Sequence, residues 1–412
     1  MKFGLLGRTL GHSYSPAIHH ALGNESYTLF EKEPDQLADF FADPSLQGLN
    51  VTIPYKIAAY EACQTLSDRA QKTGVVNTMV RRDGAWHGDN TDYLGFLYSL
   101  DYGHIEVAGK VCLILGDGAS SHTLHIALED LGAKEIIHLS RKTAPFYQDV
   151  HHFYHKAQII INATPVGMYP ECPQALIDLA PFSLLEGVVD LIYNPLRTSL
   201  LLQARQLGLK AVNGLPFLVA QAVAASKLFL ESESSIKTEE LVKNLQRDQE
   251  NIILVGMPGV GKTTVGKALA QRMGRTFIDI DQEISKEIGS ISDYIQSQGE
   301  AAFRQVESKA IQDIGKRGGL VIATGGGAVT IENNFLPLRQ NGRIYQLTQP
   351  LDKLATAGRP LSAGGLDRLK EVEAVRTPMY QAFSQCTIAH HRQVQETVDA
   401  ILLDFKDHLG EV

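Results

Sequence analysis

Residues 256–264 read GMPGVGKTT and directly follow an apolar run, NIILV, at residues 251–255. The stretch fits the pattern G-x-x-x-x-G-K-[ST], in which glycines let backbone N–H groups converge on phosphate oxygens at the N-terminus of a helix. Residues 262–273, KTTVGKALAQRM, begin inside this stretch and predict that helix. A strand, a glycine-rich loop and a helix in this order predict a nucleotide-binding loop at the start of a parallel α/β domain.

The same loop supplies the candidate ligands of a nucleoside triphosphate. In this motif the lysine, Lys262, reaches the β- and γ-phosphates, and the hydroxyl of Thr263 binds Mg²⁺. The sequence therefore predicts ATP and Mg²⁺ as cofactors. The predicted nucleotide contacts are Gly259, Val260, Gly261, Lys262, Thr263 and Thr264. The motif alone does not identify the acceptor of the phosphoryl group.

The length and composition of the chain limit its architecture and its partners. A chain of 412 residues is too long for one typical domain, so two or three domains are expected. The formal net charge of −8 gives no support to binding of nucleic acid or a membrane surface, so small molecules are the expected partners. No apolar run approaches the roughly 18 residues of a membrane span, and the start, MKFGLLGRTLGH, turns polar too early for a signal peptide. The four cysteines form no C-x-x-C pair, which favours a reducing cytoplasm over a disulfide or zinc framework.

Changes in composition divide the chain into units. Residues 231–250 are highly charged and contain no aromatic side chain, so they predict a linker or an exposed helix before a C-terminal domain at residues 251–412. Residues 101–196 alternate apolar strands, such as KVCLIL and AQIIINAT, with helix, and this predicts a parallel sheet covered on both faces. Residues 1–100, together with the apolar helical segment 197–230, form the remaining unit. The predicted fold class is α/β throughout.

Two carboxylates stand close to the phosphate loop in the segment TFIDIDQEI. If this segment is a strand, its two-residue repeat places Asp279 and Asp281 on one face and Ile278 and Ile280 on the other. Carboxylates at the end of a neighbouring strand can serve a metal and the hydroxyl of an acceptor. The alternative is that the pair consists of a helix N-cap and a surface acid.

Four further motifs follow in the order GEAAFRQVE, ATGGGAV, GRPLS and VRTPMY. Together with the phosphate loop, and across nearly all of residues 251–412, they resemble shikimate kinase. The resemblance implies a P-loop NTPase-type domain in which Asp281 binds the acceptor hydroxyls and takes a proton, while Asp279 acts on the Mg²⁺ side. It also implies guanidinium groups that hold the acceptor carboxylate, glycines that let the acceptor approach the backbone, and an arginine that closes with a lid on the transferring group. These residues are, in that order, Arg304 and Arg376, then Gly325, Gly326 and Gly327, then Arg359.

The N-terminal region carries the motifs GHSYSPAIHH, NVTIPYK, GVVNT and GDNTDYLG. Ser15 precedes a proline and can cap a helix, whereas Ser13 and Ser15 together can also meet a carboxylate, and the motif does not separate these roles. Lys56 follows a short strand broken by a proline, and Asp92 lies where the first turn of a helix is predicted. Reduction of a ketone needs a hydride on carbon and a proton on oxygen, and an ammonium–carboxylate pair can polarise the carbonyl and donate that proton.

These four motifs, with GDGASS, INATPVGM, DLIYNP and LVAQA, resemble shikimate dehydrogenase over residues 1–230. The resemblance implies that residues 101–196 form a Rossmann-like NADP-binding domain and that the unit beside it binds the substrate. It implies that Lys56 and Asp92 are the catalytic pair and that Gln221 reaches the substrate from a distant C-terminal helix. The implied substrate contacts are Ser13, Ser15, Thr52, Asn77, Asp92 and Gln221, with Asn50 as a further candidate.

The glycine loop of the predicted NADP domain departs from its family. Gly116 and Gly118 follow a strand and precede a helix, as in a dinucleotide-binding turn, and the resemblance adds Ala119 and Ser120 as cofactor contacts. The family tends to show G-A-G-G-A, and here Asp117 and Ala119 replace two of those residues. A carboxylate near a pyrophosphate is unfavourable unless its side chain points away.

The next predicted strand ends in HLSRKT, at a position where an NAD enzyme usually places an acid for the ribose 2′-hydroxyl. This chain offers Arg141 and Lys142 instead, and both suit a 2′-phosphate. The sequence therefore predicts NADP(H) as the cofactor. The alternative is a basic surface loop.

The two resemblances join into one expectation. The N-terminal half would reduce 3-dehydroshikimate to shikimate with NADPH, and the C-terminal half would transfer the γ-phosphoryl group of ATP to shikimate. We expect independent sites joined by a semi-flexible connector, and a homo-oligomer is compatible with the sequence. One alternative is a working kinase attached to a dehydrogenase-like module that only binds or assembles. Another is a dehydrogenase that also accepts quinate.

Overall fold

The computed structural model describes residues 2–11, 13–170, 172, 175–232, 234–354, 365–390 and 393–410. Three sheets follow one another along these residues, and helices cover each of them. Within the described ranges, no helix is both long enough and apolar enough to cross a membrane.

The first unit is built on a mixed sheet. Its strands are β1 (Lys2–Gly7), β2 (Tyr27–Glu31), β3 (Leu46–Val51), β4 (Thr65–Leu66), β5 (Thr78–Arg82) and β6 (Ala85–Asp89). Its helices are α1 (Ser15–Ala21), α2 (Leu37–Ala42), α3 (Lys56–Ala62), α4 (Asp68–Thr73) and α5 (Thr91–Tyr102). The strand order is β2-β1-β3-β5-β6-β4, with β1 parallel to β2 and β3, and β5 antiparallel to β3 and β6.

The first sheet is buried on both faces. On one face, Leu6 packs with Ala59 of α3 and with side chains of α2 and α4. On the other face, Phe3 packs against Phe229 of a long helix, α8 (Gly214–Leu230). Burial on both faces explains why β3 has almost no polar alternation, because neither face of the strand meets water.

The second unit holds a parallel sheet. Its strands are β7 (Val111–Leu115), β8 (Glu135–Leu139), β9 (Ile159–Asn162), β10 (Gly187–Asp190) and β11 (Lys210–Val212). Its helices are α6 (Ala119–Asp130) and α7 (Ser199–Gln206), and the strand order is β11-β10-β9-β7-β8. Apolar side chains of the central strands are buried on both faces, as expected for a parallel sheet between helices.

The predicted grouping of residues 197–230 with the first unit differs from the structure. β11 pairs in parallel with β10, and α7 packs on the same sheet through Leu200, Leu201 and Ala204. The residues from α7 to β11 therefore belong to the second sheet, and only α8 returns to the first. The sequence shows two successive apolar helices here, and the pairing of the three-residue strand between them reveals the change of sheet.

The predicted linker contains an ordered helix, α9 (Thr238–Gln249). Leu241 and Val242 of this helix are buried together with Ile18 of α1 and Val219 of α8. The segment therefore differs from the expected exposed helix, because its apolar face packs on the first unit. The charged residues within α9 are not buried, whereas Glu250, which directly follows the helix, is.

The C-terminal unit is a second parallel α/β domain. Its strands are β12 (Asn251–Val255), β13 (Thr276–Asp279), β14 (Leu320–Ala323), β15 (Gly342–Thr348) and β16 (Cys386–Ala389), in the order β13-β14-β12-β15-β16. Its helices are α10 (Lys262–Met273), α11 (Ile280–Ile288), α12 (Ile291–Gln298), α13 (Glu300–Gly315), α14 (Phe335–Gln340), α15 (Gly365–Phe383) and α16 (Val394–Asp407). One apolar core spans this unit, with β12 at its centre.

The two halves of the chain meet at a buried polar contact. Glu250 is fully buried, and its Oε1 accepts a hydrogen bond from Arg197 Nη2 at 2.5 Å. His408 Nε2 lies 2.8 Å from the other carboxylate oxygen. The backbone N–H of Arg197 also donates to the carbonyl of Gln340 at 3.0 Å. Specific contacts, in addition to the connecting segment, therefore hold the halves together.

The residues after α16 make a second contact with the first half. Tyr102 of α5 donates through its hydroxyl to the carbonyl of Gly410 at 3.2 Å. The backbone N–H of Gly410 donates to Gln246 Oε1 of α9 at 2.8 Å. Helix α9 therefore lies between the two halves and contacts both.

Candidate active sites

Lys56 and Asp92 meet beyond the carboxyl ends of β3 and β6 in the first sheet. Lys56 is the first residue of α3, a helix that the sequence does not predict, and Asp92 lies in the predicted first turn of α5. Lys56 Nζ donates to Asp92 Oδ2 at 2.5 Å, and the two residues are only 8% and 6% exposed. Two buried opposite charges in direct contact form a pair that can deliver a proton to a bound carbonyl oxygen.

Asn77 fixes the orientation of the carboxylate. Its amide nitrogen donates to Asp92 Oδ1 at 2.8 Å, so both oxygens of Asp92 are engaged. Its amide oxygen accepts from the backbone N–H of Thr91 at 2.6 Å and from Thr78 Oγ1 at 3.2 Å. Asn77 thus connects β5 to the start of α5, and its predicted contact with the substrate stays a prediction.

Ser13 and Ser15 form a local pair at the start of α1, whose first residue is Ser15. Ser13 Oγ donates to Ser15 Oγ at 3.1 Å and accepts from the backbone N–H of Ser15 at 3.2 Å. The N-cap of α1 is Tyr14, and it makes no side-chain cap hydrogen bond. The predicted capping function of Ser15 is therefore not observed, and both hydroxyls lie together at the N-terminal end of the helix.

Asn50 and Thr52 lie in different environments at the end of β3. Asn50 is buried, accepts from the hydroxyl of Tyr27 at 2.8 Å and donates to Thr78 Oγ1 at 3.1 Å. Thr52 is partly exposed, and its backbone N–H donates to the carbonyl of Leu6 at 2.9 Å. The Asn50 side chain is therefore engaged inside the unit, whereas Thr52 is more accessible to a ligand.

A close approach of two helices brings Gln221 next to the helix that carries Asp92. A Cβ added to Gly95 of α5 would lie 2.8 Å from the carbonyl oxygen of Phe217 and 3.1 Å from Gln221 Cβ. Glycine at this position therefore allows α5 and α8 to pack in direct contact. Gln221 is buried and donates through Nε2 to a backbone carbonyl of its own helix at 2.8 Å.

The predicted cofactor loop joins β7 to α6 beside Lys56 and Asp92. Gly116 has a φ of +122°, a conformation that other residues rarely adopt, and α6 begins at Ala119 directly after Gly118. Lys56 Nζ donates to Ser120 Oγ at 3.3 Å. The loop expected to bind the dinucleotide and the pair expected to deliver the proton are therefore adjacent.

Asp117 points away from the turn into α6. Its Oδ2 accepts a hydrogen bond from Ser140 Oγ at 2.9 Å, at the end of β8. Arg141 and Lys142 follow immediately, and both are exposed. A glycine turn at a helix N-terminus and two basic side chains after the next strand fit a dinucleotide with a 2′-phosphate.

In the C-terminal unit, the phosphate loop joins β12 to α10 as predicted. Gly256, Gly259 and Gly261 have φ values of +141°, +90° and +95°, so the loop conformation requires glycine at each position. Lys262 Nζ donates to the carbonyl oxygens of Gly256 at 2.8 Å and Met257 at 3.2 Å. The lysine side chain therefore folds back over the loop whose phosphate ligand it is expected to bind.

Thr263 and Asp279 form the expected metal side of this site. Thr263 Oγ1 donates to Asp279 Oδ2 at 2.7 Å. Hydroxyl and carboxylate oxygens are the hard ligands that Mg²⁺ prefers. In the described part of the chain, no group of three or more His, Cys, Asp or Glu side chains could hold a metal ion. Mg²⁺ at this position would therefore share its coordination with phosphate oxygens and water.

Asp281 lies in a helix and not on the predicted strand face. β13 ends at Asp279, which is the N-cap of α11 and accepts from the backbone N–H groups of Asp281 at 3.1 Å and Gln282 at 3.4 Å. The strand prediction is wrong because this cap starts the helix at once, and the alternative prediction of an N-cap is correct for Asp279. A Cβ added to Gly325 would lie 2.7 Å from Asp281 Oδ1, so the carboxylate faces the glycine segment.

Arg304 and Arg376, the predicted ligands of the acceptor carboxylate, both lie against the glycine segment. Arg376 Nη1 donates to the carbonyl of Gly326 at 3.1 Å. A Cβ added to Gly327 would lie only 2.2 Å from Arg304 Nη2, so any larger residue would displace that guanidinium. The glycines therefore allow two cations and one carboxylate to approach the same stretch of backbone. Their contacts with an acceptor stay predictions.

Glu307 also belongs to this site, although it is not among the predicted site residues. It is fully buried on α13, and its Oε2 accepts from Arg304 Nη1 at 2.7 Å. Its Oε1 has no hydrogen-bond partner among the described residues and faces Gly325. Burial raises the pKa of the Glu307 carboxyl, and the opposing effect of Arg304 does not cancel this rise. The available signal is its position three residues after Arg304 on a helix.

The predicted lid residue, Arg359, lies outside the described residues. Its contact with the transferring phosphoryl group therefore stays a prediction.

Comparison with known proteins identifies both halves. Residues 5–79 match the family model of the shikimate dehydrogenase substrate binding domain, and residues 258–406 match that of shikimate kinase. A shikimate dehydrogenase (NADP(+)) from Clostridium perfringens is 33% identical over 258 residues, which cover 58% of this chain and 95% of the relative. The chain belongs to the shikimate dehydrogenase family. It carries a shikimate kinase domain at its C-terminal end.

Solved structures agree with the dehydrogenase match. A chorismate mutase/shikimate 5-dehydrogenase fusion protein from Clostridium acetobutylicum has 34% identity and a TM-score of 0.55, and the match covers 59% of this chain and 96% of that one. Shikimate 5-dehydrogenase from Thermus thermophilus, in complex with NADP(H) and shikimate, has 29% identity and a TM-score of 0.53, with 60% and 99% covered. The predicted families and the α/β fold class are confirmed, and the shikimate dehydrogenase and kinase matches support enzyme activity in both halves.

Proposed function

We propose that this shikimate dehydrogenase–kinase fusion reduces 3-dehydroshikimate to shikimate with NADPH and then phosphorylates shikimate with ATP. The observation that carries the proposal is the occurrence, on one chain, of the buried Lys56–Asp92 contact and a complete phosphate loop beside Asp281. The first arrangement suits proton delivery to a carbonyl, and the second suits phosphoryl transfer to a hydroxyl. The product of the first reaction is the acceptor of the second.

In the dehydrogenase site, bound NADPH supplies the hydride. The ammonium group of Lys56 polarises the substrate carbonyl and donates the proton that its oxygen needs after reduction. Asp92 holds that ammonium in place and binds the neighbouring substrate hydroxyl. Asn77 keeps the carboxylate in the required orientation through its 2.8 Å hydrogen bond. Ser13, Ser15, Thr52, Asn77 and Gln221 bind the remaining polar groups of the substrate.

In the kinase site, Lys262 exchanges its carbonyl contacts for phosphate oxygens of ATP. Thr263 and Asp279 bind Mg²⁺, and Asp281 accepts the proton of the attacking hydroxyl. The guanidinium groups of Arg304 and Arg376 bind the acceptor carboxylate, for which their fork geometry is suited. Arg359 adds positive charge where negative charge develops on the transferring group.

We propose that the units built on the first two sheets bind different ligands. Residues 1–100 with helix α8 bind the substrate, and residues 101–196 with α7 and β11 bind NADP(H). Residues 231–250 connect these units to the kinase at residues 251–412. Because both reactions depend on nucleotide cofactors, we place the protein in the cytoplasm.

The test follows products made by the purified chain. With 3-dehydroshikimate, NADPH, ATP and Mg²⁺, we expect shikimate 3-phosphate to accumulate, as measured by mass spectrometry. Without ATP, the reactions should stop at shikimate. Without NADPH, neither shikimate nor shikimate 3-phosphate should form. A working kinase without NADPH oxidation would identify the N-terminal half as a binding module only. Reduction of NADP⁺ with quinate as fast as with shikimate would identify the broader dehydrogenase.

A further inference from the structure

Asp117 brings a carboxylate to the position where a dinucleotide fold distinguishes its two cofactors. In such folds, an acid at the end of the second strand binds the ribose 2′-hydroxyl of NAD, and basic side chains bind the 2′-phosphate of NADP. Asp117 belongs to the glycine loop after β7, yet its Oδ2 accepts from Ser140 Oγ at 2.9 Å at the end of β8. The acid therefore lies beside Arg141 and Lys142, which directly follow Ser140.

Ser140 holds this carboxylate in a fixed place. The Ser140 side chain is buried, and its hydroxyl oxygen accepts from the backbone N–H groups of Lys142 at 2.9 Å and Thr143 at 3.0 Å. The Ser140 hydroxyl donates to Asp117, and Thr143 Oγ1 lies 3.2 Å from the same hydroxyl oxygen. The Ser140 hydroxyl thus connects Asp117 to the turn that carries the two basic residues.

The carboxylate acts oppositely on the two cofactors. A 2′-phosphate carries about −1.5 to −2 charges near neutral pH, whereas a 2′-hydroxyl carries none and can donate a hydrogen bond to a carboxylate. Arg141 and Lys142 therefore favour binding of NADPH. The Asp117 carboxylate opposes binding of NADPH by charge repulsion and can accept a hydrogen bond from the 2′-hydroxyl of NADH. We propose that Asp117 is a specificity-determining residue that lowers the preference of the dehydrogenase half for NADPH over NADH. This inference rests on the proposed binding of NADP(H) at this loop.

The experiment compares NADPH and NADH binding to the full-length wild type and to Asp117→Asn. The fluorescence of the reduced nicotinamide reports binding without turnover and without 3-dehydroshikimate. Asparagine keeps an oxygen that can accept from Ser140, so the substitution removes the charge and preserves the turn. We expect the ratio of the NADH Kd to the NADPH Kd to rise about tenfold, mainly through tighter binding of NADPH.

Glu135→Gln is the matched control, because it removes the same charge at the opposite end of β8. Glu135 forms an exposed ion pair with Lys156, away from the ribose position. At an ionic strength of about 0.1 M, charges farther than about 10 Å are largely screened, so the control should leave the ratio unchanged. The effect of Asp117→Asn should also shrink as the salt concentration rises.

Equal changes in both affinities, or an unchanged ratio, would overturn the inference and leave Asp117 as a residue that only holds the turn. Asp117→Ser provides a second charge-free variant, and circular dichroism with kinase activity verifies that either variant folds. If the wild type binds neither reduced cofactor, the proposed dehydrogenase function fails together with the inference. If it binds NADPH and the ratio does not respond, only the inference fails.

Discussion

The two catalytic centres keep their charged groups in different arrangements. In the dehydrogenase half, Lys56 and Asp92 contact each other directly, so the reactive pair is assembled without a ligand. In the kinase half, Lys262 contacts backbone carbonyls and Arg304 contacts acidic side chains of its own helix. Under the proposed function, Lys262 exchanges its carbonyl contacts for phosphate oxygens, whereas Arg304 keeps Glu307 as the partner that orients it. The proposed mechanism therefore keeps the contact between Lys56 and Asp92 during proton transfer and replaces the carbonyl contacts of Lys262 when phosphate binds.

The largest expected effects come from removing one cation in each half. Lys56→Ala should lower the dehydrogenase kcat by about 10³-fold or more and leave kinase activity unchanged, because general acid catalysis is worth about 10²–10⁴-fold. Lys262→Ala should abolish kinase activity and spare the dehydrogenase. The measurements are NADP⁺ reduction with shikimate and ADP formation with ATP, Mg²⁺ and shikimate.

Lys156→Ala serves as a control for both substitutions, since this lysine is exposed and pairs with Glu135 on the surface. Loss of both activities from either active-site substitution would contradict the separation of the two centres.

The second expected effect concerns the contact between the halves. Glu250→Gln should destabilise the chain by about 3–5 kcal/mol, because it leaves Arg197 and His408 buried beside an uncharged group. Differential scanning calorimetry should show one transition in the wild type and two separate transitions in the variant. Asp399→Ala breaks an exposed pair with Arg272 and should change stability by less than about 1 kcal/mol.

The same carboxylate predicts a dependence of stability on pH. Burial favours the protonated form of Glu250, but Arg197 and His408 outweigh it and hold its pKa well below the ordinary value of 4.5. Since the pKa is lower in the folded state, this contribution is fully present above pH 4.5 and is lost as the pH falls below that value. Urea unfolding should show that the free energies of unfolding of the wild type and Glu250→Gln differ more at neutral pH than in acid. A difference that grows in acid would contradict this assignment.

A smaller effect is expected from Glu307→Gln in the kinase. The substitution keeps the shape of the side chain but removes the charge that orients Arg304, so the KM for shikimate should rise about tenfold with a smaller change in kcat. Glu300→Gln is the matched control, because Glu300 contacts the same guanidinium from an exposed position and should change KM by less than about twofold. Equal effects of the two substitutions would show that the buried position of Glu307 has no special importance.

The smallest effect is expected from Ser120→Ala. Its hydroxyl lies 3.3 Å from Lys56 Nζ, so the substitution removes the one described side-chain hydrogen bond between the cofactor loop and the catalytic lysine. Because Asp92 already holds that lysine, the dehydrogenase kcat should fall by less than about threefold. A loss of activity as large as that of Lys56→Ala would mean that Asp92 alone does not hold Lys56 in place. The dehydrogenase site would then no longer differ from the kinase site in being assembled without a ligand.

Sequence motifs identify the parts of both sites that depend on local backbone geometry. The loop from Gly256 to Thr264 is recognisable because only glycine tolerates its positive φ values at three positions. Lys56 and Asp92 are recognisable because each lies inside a distinctive motif, and Asp92 also lies in the first turn of a predicted helix. Both family assignments rest on such local features and are confirmed by the family models and relatives.

Features that depend on distant contacts are not apparent in the sequence. The contact between Asp117 and Ser140 joins two strand ends 23 residues apart, and the glycine loop alone shows only an unusual acid. Glu307 resembles any charged residue of an amphipathic helix until burial and Arg304 are known. Helix α9 is similar, because its three apolar residues in a charged segment reveal a buried face only when their partners are in place.

The position of α9 also determines how the protein should respond to a protease. A cut in the segment before Thr238 would leave α9 covalently attached to the kinase. Leu241 and Val242 of α9 would still pack against the dehydrogenase half. Gly410 and the buried Glu250 would hold the same two pieces from the other side. A nicked chain should therefore stay together in gel filtration and run as two bands only after denaturation.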